Sequence, residues 1–559
     1  MSEANAIRVV LLGDTSTQLL AKTLTRTGAG RGLPLSVAEA GFDQIERAVF
    51  DAGSELYRSD PQVIILFHST QRLLELYDRL GPGEQLHLAD ERLRLVGELT
   101  AAVHARCTAS LLYYNYPETD DAVFGNYANK TEHSFLFQLR KLNYGLMTYA
   151  ASQPGFYIVD LSTIQNLVGR PALYRPMLYV HAAMAVSEDL PAVAAGTAAC
   201  IGALFGQSKK CLVVDLDNTL WGGVIGDDGI EHIEIGPLGI GKAFSALQSW
   251  IKKLVRRGIL LAICSKNTES IARQPFEEHP DMVLGLEDIA VFAVNWNNKV
   301  DNLRQTSTIL NIDFHSIVFL DDNPFEREMV RAAIPGITVP ELPEDPADWL
   351  EFLYRLHLFD TSSLSAEDAD RTKRYRAEAL RAGERQGYAD EEAFLAGLEM
   401  VSRAEPFNTF NSPRVAQLSQ RSNQFNLRTV RYTEMDILRM SGDPGRFTFA
   451  FTLDDRLGAH GIICLIILET GCSDTLFIDT WLMSCRVLQR GMEQFTLNSI
   501  VEFARQRGFR FLKGEYVPTL KNELVRDHYR ELGFRAEDGY WILDMETFRP
   551  LKTAIRTAS

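Results

Sequence analysis

From the start of the chain to about residue 200, short unbroken apolar runs, "RVVLLGD", "QVIILFH", "SLLYYNY" and "FYIVDLS", alternate with longer stretches whose apolar residues recur at helical spacing. Runs of this kind belong to strands covered on both faces, so the alternation predicts a parallel α/β sheet. The Ala-rich "DLPAVAAGTAACIGALFG" predicts a helix leading into the next region. A second βα series starts at Cys211: "CLVVDLD", a helix near Lys242 to Arg257, then "ILLAICS", "VFAVNW", "SIVFLDD" and "GITVPEL" as strands up to about Pro343. The highly charged "SSLSAEDADRTKRYRAEALRAGERQ" reads as an exposed helical connector. From about residue 395, strands "RFTFAFTL", "GIICLIILE" and "LFIDTWLM" mix with the helical "GMEQFTLNSIVEFARQRG", an α+β pattern. The expected fold class is α/β multidomain, with domains at 1–200, 205–345 and 395–559 and a connector at 346–394.

Composition agrees with several cores. At 559 residues the chain exceeds what one core serves, and 46% hydrophobic residues let each part bury its own. Lys and Arg total 57 against 73 Asp and Glu, a net charge of −16, which excludes a general nucleic-acid binder. The opening "MSEANAIRVVLLGD" has no basic segment before its apolar stretch, and no run is long enough to span a membrane, so a cytoplasmic protein is expected. Seven cysteines without Cys-x-x-Cys or Cys/His metal spacing argue against a disulfide framework and against zinc.

The chemistry starts at "CLVVDLDNTLWGG". Asp215 follows four apolar residues at the end of a buried strand, where ligands of parallel sheets bind, and strand alternation sends Asp215 and Asp217 to one side. Two converging carboxylates suit a Mg²⁺ site with one acid left as nucleophile and its neighbour as general acid/base, or they cap the next helix. "LLAICSKN" ends another strand with Ser265, a hydroxyl for a phosphoryl oxygen, and "VNWNNKV" supplies Lys299, a point charge for the same oxygens. "SIVFLDDNPFERE" ends a third strand with Asp321 and Asp322, which can complete a metal site.

Acid pair, hydroxyl, lysine and acid pair at successive strand ends resemble the four motifs of the haloacid dehalogenase (HAD) superfamily. The resemblance implies that Asp215 attacks phosphorus, that Asp217 protonates the leaving oxygen and later activates water, and that Ser265 and Lys299 grip the phosphoryl group. It implies Mg²⁺ held by Asp215, the main-chain carbonyl of Asp217 and Asp321, with Asp322 nearby. The interval from Asp217 to Ser265 leaves no room for a large cap domain, so the site should be a capless Rossmannoid one that admits a group carried on a protein.

Together "DLDNTLWGGVIGDDG", "CSKN", "FLDDNPFERE", "QRSNQFNLRTVRY" and "NELVRDHYRELGF" resemble the FkbH-type proteins of polyketide biosynthesis. That resemblance implies transfer of a glyceryl unit from 1,3-bisphosphoglycerate to the phosphopantetheine thiol of an acyl carrier protein, with loss of both phosphates. Attack by Asp215 on the acyl phosphate would discard its activation. The HAD site should therefore remove the phosphate monoester, and acyl transfer needs a second site.

The last domain resembles the GNAT acetyltransferase fold, but its phosphate loop is broken: Leu488 and Glu493 stand around Gly491 where Gln or Arg and a small residue are expected. At that turn Cys485, followed by Arg486 and Arg490, is the candidate acyl-accepting thiolate, or a small core residue. His460 is either a base toward that thiol or a loop histidine before a strand. Asn423, Gln424 and Asn426 either orient glyceryl hydroxyls or make Asx-type turns. An acidic carrier would dock on Lys252, Lys253, Arg256 and Arg257, or on Arg371, Lys373, Arg374 and Arg376. "VVLLGDTST" resembles the Gly-Asp-Ser block of SGNH hydrolases with Thr15 at the nucleophile position and no Asp-x-x-His pair, implying an SGNH-like, noncatalytic first domain. The rival readings are a plain phosphatase acting on a phosphorylated protein or small ester, and a noncatalytic carrier-protein scaffold.

Overall fold

The computed structural model describes residues 6–186, 190–364, 391–422, 424–456, 458–471, 474–484, 487–488, 490–519 and 522–558. The chain forms two compact units, Met1–Phe205 with Arg355–Ser362, and Gly206–Tyr354 with Ser363–Ser559.

In the first unit β1 (Ile7–Gly13), β2 (Leu35–Glu39), β3 (Val63–Phe67), β4 (Ser110–Tyr114) and β5 (Phe156–Val159) make a parallel sheet in the order β2-β1-β3-β4-β5. Alternate residues feed opposite faces. Val9 and Leu11 pack in one core with helices Gln18–Gly30 and Leu190–Leu204, whereas Val10 and Leu12 pack in another with helices Leu88–His104 and Phe135–Ser152. All five residues of β3 and of β4 are buried, as their unbroken apolar runs require. The Ala-rich helix Leu190–Leu204 therefore belongs to the core of this unit rather than serving as a bare lead-in.

The second unit holds two sheets. β6 (Cys211–Val214), β7 (Leu260–Ser265), β8 (Ile289–Val294) and β9 (Ile317–Leu320) are parallel in the order β8-β7-β6-β9. "GITVPEL" adds no fifth strand: Pro340 lacks an N–H donor, and pairing stops at a single bridge between Val318 and Thr338. The expected helix spans Gly241–Arg256, with Phe244, Leu247, Ile251 and Leu254 on its buried stripe.

The remaining strands are β10 (Val401–Glu405), β11 (Phe425–Asn426), β12 (Arg446–Asp455), β13 (Gly458–Thr470), β14 (Thr475–Met483), β15 (Phe511–Gly514), β16 (Arg535–Glu537), β17 (Tyr540–Asp544) and β18 (Arg556–Thr557). They form a mixed sheet ordered β16-β17-β15-β14-β13-β12-β10-β18, with β11 on β14. Only a crossover can join parallel neighbours, and helix Met492–Gln506 makes it between β14 and β15. This is an α+β arrangement. Among the described residues no helix is long and apolar enough to cross a membrane.

Candidate active site at the carboxyl edge of the four-stranded sheet

The sheet register sets Val214 beside both Ile263 and Leu320, so the residues after β6 and β9 emerge side by side. Asp215 N donates to Leu320 O at 3.0 Å, which fixes the Asp215 backbone against the end of β9. Asp215, Asp321 and Asp322 gather with one oxygen each within 4.8 Å of one another. Lys299, first residue of helix Lys299–Leu310, reaches in from beyond β8: its Nζ lies 3.0 Å from Asp215 Oδ2 and 2.6 Å from Asp321 Oδ2. Ser265 is buried at the last position of β7, in register with Val294.

Three carboxylates and one ammonium sum to −2 in a place where Asp215, Asp321 and Lys299 are each at most 5% exposed. Burying uncompensated charge is costly, and the carboxyls register the strain. Burial, and then repulsion from Asp215, push Asp321 up to about 6 despite Lys299. Asp322 is raised by the same two causes. Burial works against the Lys299 ammonium, but Asp215 and Asp321 outweigh it and hold the proton more tightly than in water. Asp215 Oδ1 is buried with no hydrogen-bond partner. A divalent cation would balance the excess and give that oxygen a partner.

Asp217 behaves differently from its expected role as a strand-face twin of Asp215. β6 ends at Val214, so alternation no longer governs, and the Asp217 carboxylate lies outside the three-acid cluster. Its Oδ1 accepts from Trp221 Nε1 and Ile225 N, both at 3.0 Å, and its Oδ2 accepts from Asn267 Nδ2 at 3.0 Å. Burial raises its pKa against those three donors. The turn that brings Trp221 back is made by the Asn-Thr and Gly-Gly pairs. Asn218 takes φ 52° and its Oδ1 accepts from Gly223 N at 2.9 Å, while Gly223 itself sits at φ 88°. A Cβ on Gly222 would lie 2.7 Å from Glu234 Oε2. Thr219 Oγ1 accepts from Asp322 N at 3.1 Å and donates to Asp322 Oδ1 at 3.3 Å, tying this turn to the third acid. The sequence reading assigned no role to Trp221, Asn267 or Thr219, although all three lie in segments it quoted.

In the other sheet His460 is not in a loop before a strand; it lies on β13 and is buried. Its Nε2 is 3.0 Å from Asp455 Oδ2, and Arg490 Nη1 approaches the same oxygen at 3.6 Å. β13 and β14 do pair, with Cys464 opposite Met483 and Ser484 N donating to Ile463 O. Cys485 and Arg486 lie outside the described residues, as does Asn423. Gln424 is exposed. Asn426 Oδ1 accepts from Thr429 N at 2.8 Å, an Asx-type turn, with Nδ2 buried and unbonded. Of the docking candidates, Lys253 and Arg256 are exposed, but Lys252 donates to Val283 O at 2.6 Å and pairs with Asp288 at 3.3 Å. Arg371, Lys373, Arg374 and Arg376 lie outside the described residues.

In the first unit the Thr15 hydroxyl is committed to main chain, donating to Ala183 O and accepting from Ala185 N at 3.0 Å. Asp14, one residue earlier, accepts from Ser69 N through both oxygens at 2.9 and 3.0 Å, at the start of helix Thr70–Arg79. Burial pushes its carboxyl up to about 6, with His68 and the Ser69 N–H opposing.

Comparison with known proteins fits this picture. The family model described as FkbH, N-terminal domain, matches residues 8–201. A solved structure, the N-terminal part of the protein BF1531 from Bacteroides fragilis containing a phosphatase domain complexed with Mg, is 48% identical over 65% of this chain and 96% of its own, at a TM-score of 0.63. The chain belongs to the FkbH family. This FkbH-family chain also matches the GNAT domain of S. lividans PAT, with 18% identity over 25% of this chain and 89% of that one, but at a TM-score of 0.21. The ribosomal-protein-S18-alanine N-acetyltransferase from Escherichia coli matches at 15% identity over 26% and 94%, with a TM-score of 0.20. Scores that low carry no argument. None of the curated proteins compared matches the chain.

Proposed function

We propose that this chain is a Mg²⁺-dependent HAD-type phosphatase that removes the phosphate monoester of a three-carbon acyl unit and loads the unit, glyceryl from 1,3-bisphosphoglycerate, onto the thiol of an acyl carrier protein. The observation that carries the phosphatase reading is the buried Asp215, Asp321, Asp322 and Lys299 set, with its net charge of −2 and its unbonded Asp215 Oδ1. Asp215, Asp321 and the Asp217 carbonyl would hold the ion, with Asp322 beside them. When bound, Mg²⁺ would offset repulsion between an anionic nucleophile and an anionic phosphate. Asp215 attacks phosphorus and becomes an aspartyl-phosphate. Asp217 gives its proton to the departing oxygen, then takes one from the water that releases phosphate. Ser265 and Lys299 hold the phosphoryl oxygens.

The acyl-transfer reading rests on the family resemblance and on the third domain. The buried Asp455, His460 and Arg490 group supports it: a carboxylate orients the imidazole, and both flank the turn leading to helix Met492–Gln506. Cys485 is the proposed acyl acceptor, and Gln424 and Asn426, with Asn423, are the proposed contacts to the glyceryl hydroxyls. The division into 1–200, 205–345, 346–394 and 395–559 belongs to the same proposal, with a noncatalytic first domain whose Thr15 hydroxyl is already committed.

The deciding experiment is mass spectrometry of the protein with Mg²⁺ and 1,3-bisphosphoglycerate, with and without carrier protein. Glyceryl-carrier is expected; phosphate release with an unmodified carrier would leave a plain phosphatase. Two further outcomes follow. Because the cation binds the folded site, Mg²⁺ at about 100 times its Kd should stabilise the fold by about 2.7 kcal/mol, read as a rise in Tm that Ca²⁺-free EDTA removes. Reversing Lys253 and Arg256 to Glu should weaken carrier loading several-fold, more so at raised salt, without slowing release from a small ester. Loading at the wild-type rate would place docking elsewhere.

A further inference from the structure

Asp321 and Asp322 are consecutive, and consecutive side chains of an extended strand point to opposite faces of the sheet. Both nevertheless send an oxygen into one cluster with Asp215. The chain must therefore bend as it leaves β9 at Leu320, and the bend must be held. Arg327, on helix Pro324–Ala333, is placed to hold it: its Nη1 donates to Asp321 O at 2.9 Å and to Asp322 O at 2.6 Å. Two successive carbonyls of an extended strand point opposite ways, so two that converge on one nitrogen mark the bend itself. We propose that Arg327 is a positioning residue for the cation site: by pinning both peptides it keeps both carboxylates in the cluster, and so sets how tightly and how selectively a divalent cation is held. The inference rests on the reading of Asp215, Asp321 and Asp322 as the metal site.

Arg327 is itself held from several directions. It is 5% exposed, and its main-chain N donates to Asn323 O at 3.1 Å, so its stem rises from the turn that its guanidinium grips. Asn323 N donates to Asp321 Oδ1 at 2.9 Å, and Asn323 Oδ1 accepts from Phe325 N at 2.9 Å, which roots the helix in the same turn. On the other side of the guanidinium, Nη2 donates to Glu341 Oε1, while Arg331 Nη2 lies 2.8 Å from Glu341 Oε2. Glu341 stands three residues past Thr338, which bridges to β9 at Val318. Glu341 answers the charge of Arg327, so the hold on the acids is geometric rather than electrostatic. The planar fork explains the choice of residue. It aims two N–H groups of Nη1 at two carbonyls and Nη2 at a carboxylate, which an ammonium on a flexible stem cannot do together.

Mg²⁺ demands a near-ideal octahedral set of oxygens, whereas Ca²⁺ accepts irregular ones. A loosened bend should therefore cost Mg²⁺ more than Ca²⁺.

The test is isothermal titration of the metal-free, full-length protein with Mg²⁺ and, separately, with Ca²⁺, for wild type, Arg327→Lys, Glu341→Gln and Arg331→Gln. Arg327→Lys is expected to weaken Mg²⁺ binding about 10–100-fold, the usual worth of a group that orients metal ligands. Its Ca²⁺ binding should weaken by less, so that the ratio of the two Kd values moves toward Ca²⁺. Glu341→Gln, which loosens the guanidinium but leaves every buried atom in place, should shift both in the same direction and by less. Arg331→Gln, which touches Glu341 but neither carbonyl, should bind as wild type does. Thermal unfolding in metal-free buffer shows whether each variant is folded, and Glu341→Gln, altered at an exposed side chain, carries the test where Arg327→Lys is not. A lowered Tm with the wild-type Mg²⁺ affinity, or an equal loss in Arg331→Gln, would make Arg327 a packing residue and overturn the inference. Wild-type protein that takes up no Mg²⁺ would instead remove the metal-site reading on which it rests.

Discussion

Asp215→Asn protein is expected to release phosphate at least about 10⁴-fold more slowly than wild type with Mg²⁺ present, a loss of about 5.4 kcal/mol of transition-state stabilisation. An amide is a poor nucleophile and a poorer ligand for a hard cation. The same variant should be more resistant to heat than wild type in metal-free buffer. Removing one acid lowers the excess buried charge from −2 to −1 and leaves Lys299 its 2.6 Å contact to Asp321. A gain of about 1 kcal/mol would appear as a few degrees in Tm. Wild type should overtake the variant when Mg²⁺ is added. Near-normal turnover in the variant, or a Tm that falls in metal-free buffer, would contradict the reading of this site as an electrostatically overfilled one that a cation completes. Lys299→Ala makes the opposite change: it leaves the carboxylates unpaired, and breaking a buried pair this way costs about 3–5 kcal/mol of stability in addition to activity.

Cys485→Ala should abolish carrier loading while phosphate release from a soluble ester continues, because the proposed acyl acceptor takes no part in the proposed attack of Asp215 on phosphorus. Without carrier, wild-type protein should acquire a glyceryl or phosphoglyceryl adduct at Cys485 that hydroxylamine removes, and the variant should not. In Asp215→Asn the adduct should keep its phosphate. Loading at the wild-type rate in Cys485→Ala would mean that the carrier thiol attacks the acyl phosphate directly. Loading slowed only about tenfold corresponds to ~1.4 kcal/mol, too little for an obligatory covalent intermediate. His460→Ala, which removes one partner of Asp455, is the companion variant, with loss expected in loading rather than in phosphate release.

The positions of Asp215, Ser265, Asp321 and Asp322 were legible because they close or follow buried apolar runs that fix where the strand stops, whereas Lys299 opens a helix beyond β8. Strand periodicity ceased to inform where the strand itself ceased. Asp217 lies beyond β6, and its orientation comes from a turn built on Asn218 and Gly223. No period in the sequence announces that an indole four residues on will fold back onto it. His460 was misplaced for a related reason: its partner, Asp455, is only five residues away, but the two meet because β12 and β13 are the arms of one hairpin with a register shift next to Asp454. "GITVPEL" satisfied the β-branched composition of a strand, and its one proline, Pro340, removed a donor that pairing needs.

The carboxylate of Asp14 has a consequence for what the first unit can receive. It occupies the amide at the start of helix Thr70–Arg79, the place where a parallel sheet would otherwise offer a seat to a phosphate or an organic acid. A free anion must compete there with one that is tethered to the same fold and already aligned, and well-aligned tethered groups compete at effective concentrations that reach about 10⁵ M or more. Millimolar metabolites cannot win such a contest. The seat is an internal bond of the scaffold, and soaking or titrating this unit with phosphate or carboxylates should leave the Asp14 to Ser69 contact unchanged.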